Sequence, residues 1–301
     1  MHRKIFVIGS INTDMVIKSD KLPVPGETVI GGSFLMNPGG KGANQAVAAA
    51  KLGATVTFIG RVGDDIFGKQ AIQSFQREGI NTDYISNDTE NPSGVALILV
   101  DGNGENIISV ASGANANLKI AEVEKVLDLI QADDIVLLQL EIPIAIVEFS
   151  ITECWKKGAF IILNPAPAKT LSEDVYKYIK IITPNETEAE LLTGIRVIDE
   201  DTAGQAAHKL HEKGIANVII TLGEKGAYFH NEEIQQLIPS PSVKAFDTTA
   251  AGDVFNGALA VALSENMDFG QAISFACKAA SISVTRMGAQ ASVPLRKEIM
   301  N

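Results

Sequence analysis

The sequence predicts an α/β protein with a doubly wound, mostly parallel sheet flanked by helices and with a small β-sheet lid. The first observation is a repeated alternation of short apolar, β-branched runs with longer stretches of helical periodicity, which is typical of βαβ units. The second is a pair of apolar runs, residues 95–100 and 106–110, joined by D-G-N-G-E, because D-G and N-G between such runs indicate a hairpin. With 301 residues, the chain is long enough to bury a sizeable core in one large domain.

The alternation of strands and helices can be followed along most of the chain. Residues 4–8 form a buried strand that stops at Gly9, and residues 15–35 form two short strands around L-P-V-P-G-E-T, whose prolines and glycine supply the turn. A small-residue helix follows at about 43–52. Further strands are predicted at residues 56–59, 83–85, 135–140, 160–163, 179–182 and 218–221, helices at 66–78, 120–131, 144–156, 201–213 and 269–285, and a hairpin at 227–238.

The hairpin at residues 95–110 breaks the parallel rhythm, so we assign it to a small separate sheet. The chain is then a single domain, residues 1–301, with lid strands from about 15–36 and 94–111. Every residue of 95–100 is apolar, so both faces of that strand need cover. One face would close over a ligand and the other would meet a second subunit. We therefore expect a homodimer through the lid, because an exposed strand of this type invites aggregation.

Charge and composition narrow the class of partner. The net charge of -11 and the absence of basic runs argue against nucleic acid and against an anionic membrane surface, and they favour a small ligand. The opening residues hold too short an apolar run for a signal peptide, and no later stretch is long enough to span a bilayer. We therefore expect a cytoplasmic protein without a membrane partner.

The cysteines and histidines give no sign of a metal centre. Cys154 and Cys277 lie far apart without a C-x-x-C pattern, which indicates buried free thiols rather than a disulfide or a zinc site. The histidines show no metal-ligand spacing, and we expect them to be solvated. They are His2, His208, His211 and His230.

The stretch that most indicates a functional site is D-T-T-A-A-G-D-V-F-N-G, residues 247–257, where a small-residue turn runs into an apolar helix. A helix that is apolar nearly all round should begin deep inside the protein. The first N–H groups of a helix have no partner within it, and Ala250, Ala251 and Gly252 offer no side chain to cap them. An anion suits these donors and the positive end of the helix dipole, so the stretch predicts a phosphate site.

Asp253 lies at the centre of this predicted phosphate site. A carboxylate repels phosphate, so its presence there suggests a catalytic base. A simpler interpretation stays open, in which Asp247, Thr248 or Thr249 caps the helix and Asp253 only favours its first turn.

Other polar side chains follow the carboxyl ends of predicted strands, where open α/β sheets bind ligands. Asn12 and Asp14 come after the first strand, and Glu141 comes after the strand at 135–140. One carboxylate can accept hydrogen bonds from two neighbouring hydroxyls, so these residues suggest a ligand of that kind. An Asx-type turn at Asn12 and Asp14 is the alternative.

The segment N-P-G-G-K-G-A-N, residues 37–44, is a glycine-rich helix start that matches neither the Walker P-loop nor the dinucleotide G-x-G-x-x-G pattern. Its glycines imply close approach of the backbone. Tight packing on the sheet would explain them, but Lys41 and Asn44 are costly choices for packing alone.

The segment T-P-N-E-T-E, residues 183–188, fits two interpretations. Thr183 or Asn185 can cap the following helix, with Glu186 and Glu188 in its first turn. A carboxylate pair near a phosphate site would equally hold hydrated Mg²⁺, which prefers a few carboxylates and water.

Taken in order, Asn12 to Asp14, G-G-K-G-A-N-Q-A, N-E-T-E and D-T-T-A-A-G-D-V-F-N-G resemble the motifs of the ribokinase-like sugar kinases over essentially the full length. Segments 39–44 and 247–257 look like the two signature motifs of that family, and finding both at this spacing is a strong signal. The resemblance implies an α/β core with a β lid that transfers the γ-phosphate of ATP to the 5-hydroxyl of D-ribose. The residues alone indicate a phosphate site, a base and hydroxyl-binding carboxylates, and do not indicate ribose.

The resemblance also implies roles for single residues around the reacting groups. Asp253 would be the catalytic base, and the N–H groups of Ala250, Ala251 and Gly252 would form the anion hole. The sugar would be held by Asn12, Asp14, Gly40, Lys41, Asn44, Glu141 and Asp253.

For the nucleotide and the cations, every assignment is what the resemblance implies. ATP would contact Asn185, Thr221, Gly223, Gly226, Gly252 and Cys277, although related enzymes often carry a polar residue where Cys277 stands. Glu188 would act on Mg²⁺ through water. K⁺ would lie beside the anion hole, mostly on backbone oxygens, near Asp247, Thr249, Ser283, Arg286, Gly288 and Ser292.

Two other functions are compatible with these residues. One is a kinase of the same family that acts on another sugar or a nucleoside, such as fructose or adenosine, because Asp14 and Glu141 indicate a polyol and little more. The other is a non-catalytic sugar or nucleotide sensor, because fold does not fix function. An intact Asp253 argues against the sensor.

Overall fold

The structure, a computed structural model, describes residues 3–300, so the expectation for His2 lies outside the described residues. The strands are β1 (Ile5–Ile8), β2 (Asn12–Lys18), β3 (Ser33–Gly39), β4 (Val56–Gly63), β5 (Asn81–Asp88), β6 (Gly94–Val100), β7 (Asn106–Ala111), β8 (Ile135–Leu138), β9 (Phe160–Leu163), β10 (Ile181–Ile182), β11 (Asn217–Thr221), β12 (Ala227–His230) and β13 (Gln235–Ile238). The helices are α1 (Lys41–Lys51), α2 (Ile66–Arg77), α3 (Ile120–Leu127), α4 (Ile144–Lys156), α5 (Glu173–Tyr176), α6 (Glu186–Thr193), α7 (Glu200–Glu212), α8 (Ala251–Ser264), α9 (Phe269–Ser283) and α10 (Arg296–Met300). Two 3₁₀ turns lie at Gly113–Asn117 and Gly223–Lys225.

The large sheet has the order β13-β12-β11-β10-β9-β8-β1-β4-β5. The pairs β11–β12 and β12–β13 are antiparallel, and the other pairs are parallel, so the sheet is mostly parallel as the sequence predicts. Every residue of β1 and β8 is buried, because helices cover both faces of the sheet. One apolar cluster joins α1, α8 and α9 to one face, and a second joins α3, α4 and α7 to the other.

The small sheet is the lid, with the order β3-β2-β6-β7. Strands β6 and β7 form the predicted antiparallel hairpin, and β2 pairs with β3 and β6. The ladder extends further toward the large sheet than predicted, since Asn12 pairs with Gly39 and with Gly94. Asn12 and Asp14 therefore lie in β2 and share one face of the lid, and the Asx-turn interpretation is wrong.

Several predicted bounds are wrong by a few residues. Helix α1 begins at Lys41 rather than 43, because Gly40, with φ 92°, turns the chain directly from β3 into the helix. Helix α3 ends at Leu127 rather than at 131. The Gln131 N–H lies beyond the helix and donates to the Asp134 carboxylate at 3.0 Å. The short helices α5 and α10 were not predicted, because four or five residues carry too little periodicity to be recognised.

Both cysteine thiols are buried, as predicted, and burial raises the pKa of each to about 12. The expectation of solvated histidines is wrong for His230, which is 2% exposed in β12. The rings of His208 and His211 pack against it with centroids 5.7 and 5.3 Å away. Burial lowers the pKa of His230, as do its two histidine neighbours.

Two candidate features are not found among residues 3–300. No cluster of three or more histidine, cysteine or acidic side chains there is arranged to hold a metal ion. In the same part of the chain, no helix is both long and apolar enough to cross a membrane.

Candidate active site

Helix α8 begins with free backbone donors. Ala250 precedes it in the left-handed region, at φ 60°, and no side chain caps the start. The Ala251 N–H donates to the Thr248 carbonyl at 3.2 Å, and the N–H groups of Gly252 and Asp253 have no protein partner in the described part of the chain. A left-handed alanine costs about 1 kcal/mol or more, and such strain is concentrated at functional sites. These free donors suit an anion, so the structure is compatible with the predicted phosphate site, which stays a prediction.

Asp253 is 6% exposed, in the first turn of α8. Its Oδ2 accepts from Asn44 Nδ2 at 2.9 Å, and its Oδ1 accepts from Gln45 Nε2 at 3.0 Å. Burial raises the pKa of Asp253, although the charge of Lys41 and the two amide donors lower it in part. A carboxylate held at both oxygens and made more basic by burial suits proton removal.

The start of α1 brings Lys41 close to Glu141. Glu141 follows β8, and its Oε2 accepts from the Lys41 backbone N–H at 3.0 Å and from Ser10 Oγ at 2.6 Å. Burial lowers the pKa of Lys41, but the charges of Asp253, Glu141, Glu188 and Asp14 raise it by more. The ammonium group of Lys41 therefore stays charged among carboxylates that belong to four different segments.

Asp14 lies on the lid face that points toward this cluster. A Cβ on Gly39 would stand 2.2 Å from the Asp14 carboxylate, so a larger residue at this position of β3 would displace that side chain. Burial raises the pKa of Asp14 to about 6, with further contributions from Glu141 and Asp253 and an opposing one from Lys41. The neighbouring Asn12 is fixed by Asn115, whose Nδ2 donates to Asn12 Oδ1 at 2.8 Å.

A cavity of about 190 Å³ opens beside the start of α8. Among its lining residues are Lys41, Asn185, Glu188, Thr221, Gly252 and Asp253. The structure thus brings the predicted base together with most of the predicted nucleotide and magnesium residues. Gly223, Gly226 and Cys277 do not line this cavity.

Two of the three residues outside the cavity have structural explanations. A Cβ on Gly226 would stand 2.1 Å from the Ile238 carbonyl, so this glycine allows β12 and β13 to pair. Cys277 is 3% exposed in α9, and its thiol packs in the core. A Cβ on Gly223 would meet no atom within 4 Å, so only this position is open to a ligand.

Asn185 and Glu188 form a reciprocal cap on α6. Asn185 Oδ1 accepts from the Glu188 N–H at 2.8 Å, and Glu188 Oε2 accepts from the Asn185 N–H at 2.9 Å. The capping interpretation is therefore confirmed for Asn185. Burial raises the pKa of Glu188, against the lowering effects of its bond from Asn185 and of Lys41. One oxygen of Glu188 stays free of this cap, so a water-bridged cation is compatible with it.

The loop before α8 is held by Asp247, which does not cap the helix. Asp247 Oδ1 accepts from the N–H and hydroxyl of Thr249 at 3.0 and 2.6 Å, and Oδ2 accepts from the Gly288 N–H at 2.8 Å. Its backbone N–H donates to the Val284 carbonyl at 3.1 Å. The structure thus joins Asp247, Thr249 and Gly288, and the interpretation of Asp247, Thr248 or Thr249 as the cap of α8 is wrong, because no side chain caps this helix.

The side chains of the other predicted potassium residues point elsewhere. Arg286 Nη2 pairs with Glu298 Oε1 at 2.5 Å, and the hydroxyls of Ser283 and Ser292 donate to carbonyls three residues earlier. Their backbone oxygens are the ligands that the resemblance implies for the cation. The donor set of this loop is therefore the hard oxygen type that suits an alkali cation.

Three buried amides near Asp253 were not predicted. They are Gln45 in α1, Gln139 after β8 and Asn164 after β9, at 0%, 0% and 6% exposed. The available signal was a lone glutamine in each of two apolar segments, A-N-Q-A-V-A-A-A and I-V-L-L-Q-L. Such residues are buried only with hydrogen-bond partners, and partners from distant segments cannot be found by local pattern.

Known proteins resemble this chain in both sequence and fold. The sequence profile described as pfkB family carbohydrate kinase matches residues 2–296. The ribokinase of Haemophilus influenzae is 46% identical over 300 residues, covering 100% of this chain and 98% of that protein. The crystal structure of the Thermotoga maritima ribokinase superposes with a TM-score of 0.90 at 40% identity, covering 99% of this chain and 98% of that one. The structure of Arabidopsis thaliana ribokinase complexed with ribose and ATP superposes with a TM-score of 0.89 at 34% identity, covering 100% of this chain and 98% of that one.

The profile match extends over nearly the whole chain, and the relatives match it from end to end. Both signature segments of the sequence, 39–44 and 247–257, meet at Asp253 in the fold. The chain therefore belongs to the pfkB family of carbohydrate kinases.

Proposed function

We propose that this chain transfers the γ-phosphate of ATP to the 5-hydroxyl of D-ribose, giving D-ribose 5-phosphate and ADP. One observation carries the proposal: Asp253 lies at an uncapped helix start and at the same time faces Lys41 and the carboxylates of Asp14 and Glu141. The relatives named as ribokinases, one of them complexed with ribose and ATP, support the choice of substrates.

The sugar would lie between the lid and the start of α1. Asp14, partly buried on the lid, accepts from two neighbouring hydroxyls, and Glu141 keeps its Oε1 for a third after Oε2 has accepted from Lys41 and Ser10. The remaining sugar contacts in this proposal are Asn12, Gly40, Lys41 and Asn44. The pattern recognises a polyol through carboxylates and amides, which are good acceptors for hydroxyl groups.

Proton transfer and phosphoryl transfer would meet at Asp253. Its carboxylate takes the proton of the 5-hydroxyl while the hydroxyl oxygen attacks the γ-phosphorus and the bond to the ADP oxygen breaks. The N–H groups at Ala250, Ala251 and Gly252 stabilise the charge on the transferring group, as does the ammonium of Lys41. The Ala251 N–H must leave the Thr248 carbonyl to take part, since the two are hydrogen-bonded in the structure.

ATP would occupy the cavity beside α8, near Asn185, Thr221 and Gly252. Gly223 lies outside the cavity, and the open space beside it would take a further part of the nucleotide. Gly226 and Cys277 remain part of this proposal as residues that pack near the adenine ring of ATP, although they do not line the cavity. When bound, Mg²⁺ would neutralise charge on the phosphates, and Glu188 with its free oxygen would orient it through water. Because ATP is the donor, we place the protein in the cytoplasm. We also treat the chain as a single domain with a lid.

We expect K⁺ to raise kcat more than Na⁺ does. The loop of Asp247, Thr249 and Gly288 packs next to the start of α8, so a large cation on its backbone oxygens would hold the anion hole in place. Initial rates are measured in equal concentrations of KCl and NaCl, so that ionic strength is constant. Equal rates in the two salts would count against the potassium assignment.

We also propose that the protein is a homodimer through the outer face of the lid. By strand register, Ile17, Phe34, Met36, Leu97 and Ile107 share the face opposite Asp14, and they are 42%, 60%, 46%, 55% and 53% exposed. A contiguous apolar patch of this kind marks an interaction site. A second copy is the natural occupant, because both lids present the same surface.

Sedimentation velocity tests the dimer. We expect twice the mass of one chain at micromolar concentration, and the mass of one chain for Leu97→Asp. The matched control is Leu129→Asp, which adds the same charge at a residue 41% exposed and far from the lid, and which should stay dimeric. An active parent protein that sediments as a monomer would remove the proposal.

A panel of acceptors tests the reaction. ADP release is measured with D-ribose, 2-deoxy-D-ribose, D-fructose and adenosine at equal concentrations. The proposal predicts the highest kcat/KM for D-ribose. A higher value for fructose or adenosine would favour the other kinase, and binding of ribose and ATP without turnover would favour the sensor.

A further inference from the structure

A chain of buried amides connects the sheet to Asp253. Gln139 Nε2 donates to Gln45 Oε1 at 2.6 Å, and Gln45 Nε2 donates to Asp253 Oδ1 and to Asn164 Oδ1, both at 3.0 Å. Gln45 and Gln139 are each 0% exposed. This chain comes from three elements that are distant in sequence, and none of the proposed sugar or nucleotide contacts accounts for it.

The direction of each amide follows from the carboxylate. An ionised carboxylate only accepts, so the atom of Gln45 that faces Asp253 has to be the amide nitrogen. The oxygen of Gln45 then faces Gln139, which has to present its own nitrogen. Gln139, together with the Asn164 oxygen that accepts from the same Gln45 nitrogen, thereby keeps the Gln45 amide from turning over and placing an oxygen against Asp253.

Packing alone does not explain these two glutamines. A methionine fills a similar volume without burying polar atoms, whereas a buried amide group without partners costs about 1–3 kcal/mol. Gln139 Oε1 has no hydrogen-bond partner among residues 3–300, and a Cβ on Gly9 would stand 2.2 Å from it. The fold thus retains an unpaired amide oxygen at Gln139, while Gly9 is also required by the Gly42 backbone, which a Cβ there would approach to 2.8 Å.

We propose that Gln45 is a positioning residue for the base Asp253, and that Gln139 acts through Gln45 by fixing the direction of its amide. Asn44 holds the other carboxylate oxygen at 2.9 Å, so the two amides together fix the rotation of the Asp253 carboxylate. One lone pair then faces the position of the attacking hydroxyl. The inference rests on the proposed function, in which Asp253 is the base.

Steady-state kinetics of three variants test the inference. We expect Gln45→Met to lower kcat about 10- to 100-fold, with the KM values for ribose and ATP changed less than about threefold, because the lost bond acts on the base. Gln139→Met should lower kcat about 3- to 10-fold, since the Gln45 amide can then turn. The double variant should lose at most about twofold more than Gln45→Met, because Gln139 acts only through Gln45.

The pH profile separates positioning from support of the fold. Losing an N–H donor destabilises the ionised carboxylate, so the acid limb of kcat should move to higher pH in Gln45→Met. The control is Asn217→Leu, which removes an amide that is 4% exposed and bonded to the Lys180 carbonyl at the start of β11. That variant should lower the melting temperature and leave the acid limb unmoved.

Two results would overturn the inference: a folded Gln45→Met with kcat within about twofold of the parent and an unmoved acid limb, or losses that multiply in the double variant. If Gln45→Met does not fold, the acid limb of Gln139→Met decides in the same way. A parent protein without ribose turnover would defeat the proposed function instead. In that case the carboxyl ¹³C titration of Asp253 in the ligand-free protein still tests the inference. An unchanged titration in Gln139→Met would contradict the proposal that Gln139 acts on Asp253 through Gln45.

Discussion

We expect Asp253→Asn to lower kcat by about 10²- to 10⁴-fold, the usual loss when a general base is removed. The asparagine keeps the shape and a polar tip but cannot take the hydroxyl proton. The removed charge also relieves repulsion of the phosphates at the start of α8, so ATP should bind at least as well as to the parent protein. Turnover and ATP affinity should therefore separate.

The control for Asp253→Asn is Asp134→Asn, a second buried carboxylate at the opposite edge of the sheet. Asp134 is 6% exposed and accepts from the N–H groups of Lys4 and Gln131 at 2.9 and 3.0 Å. Its replacement should reduce stability and leave kcat unchanged. If Asp253 only favoured the first turn of α8, its replacement would cost at most about 1 kcal/mol of stability. A turnover loss below about fivefold in a folded Asp253→Asn would contradict its role as the base.

Asp14→Asn should weaken ribose binding and stabilise the ligand-free protein. The loss of a charged acceptor for sugar hydroxyls should raise the KM for ribose about 10- to 100-fold, with a smaller change in kcat. The pKa of Asp14 is raised from 3.8 to about 6, so the folded state disfavours the charged carboxylate. Its contribution to stability therefore falls as pH rises from about 4 to about 6 and stays low above that range.

The neutral asparagine removes this penalty. Solvent that reaches the partly buried carboxylate screens the effect, so we expect a gain of about 1–2 kcal/mol at pH 8, or a melting temperature higher by about 2–6 °C. The difference should be smaller at pH 5, where the Asp14 carboxyl of the parent protein is mostly protonated. A variant that is less stable than the parent at pH 8 would contradict the electrostatic account of this site.

Local sequence was sufficient for the parts of the fold that depend on nearest neighbours. The fully apolar runs of β1 and β8 predict strands covered on both faces, and D-G-N-G-E predicts the hairpin of β6 and β7. The uncapped start of α8 was predicted for the same reason, since Ala250, Ala251 and Gly252 have no side chain that could serve. These features require no knowledge of which segments meet.

Features that depend on distant segments were missed or misplaced. Asn12 belongs to β2 because its partners are Gly39 and Gly94, and pairing of this kind has no local signal. His230 is buried because α7 packs on β12, and this contact between distant segments cannot be read from local sequence, so the residue was expected in solvent. The link from Gln139 through Gln45 to Asp253 joins residues 94 and 208 positions apart, so only the fold reveals it.

In the proposed reaction, Asp253 and the start of α8 direct the γ-phosphate of ATP to one hydroxyl of D-ribose. The most direct measurement is NMR of the product formed from ATP and uniformly ¹³C-labelled D-ribose, with ³¹P coupling used to locate the ester. We predict stoichiometric ADP and a phosphate ester whose ³¹P couples to carbon 5. A phosphate on another carbon, or ADP formed at the same rate without ribose, would contradict the account.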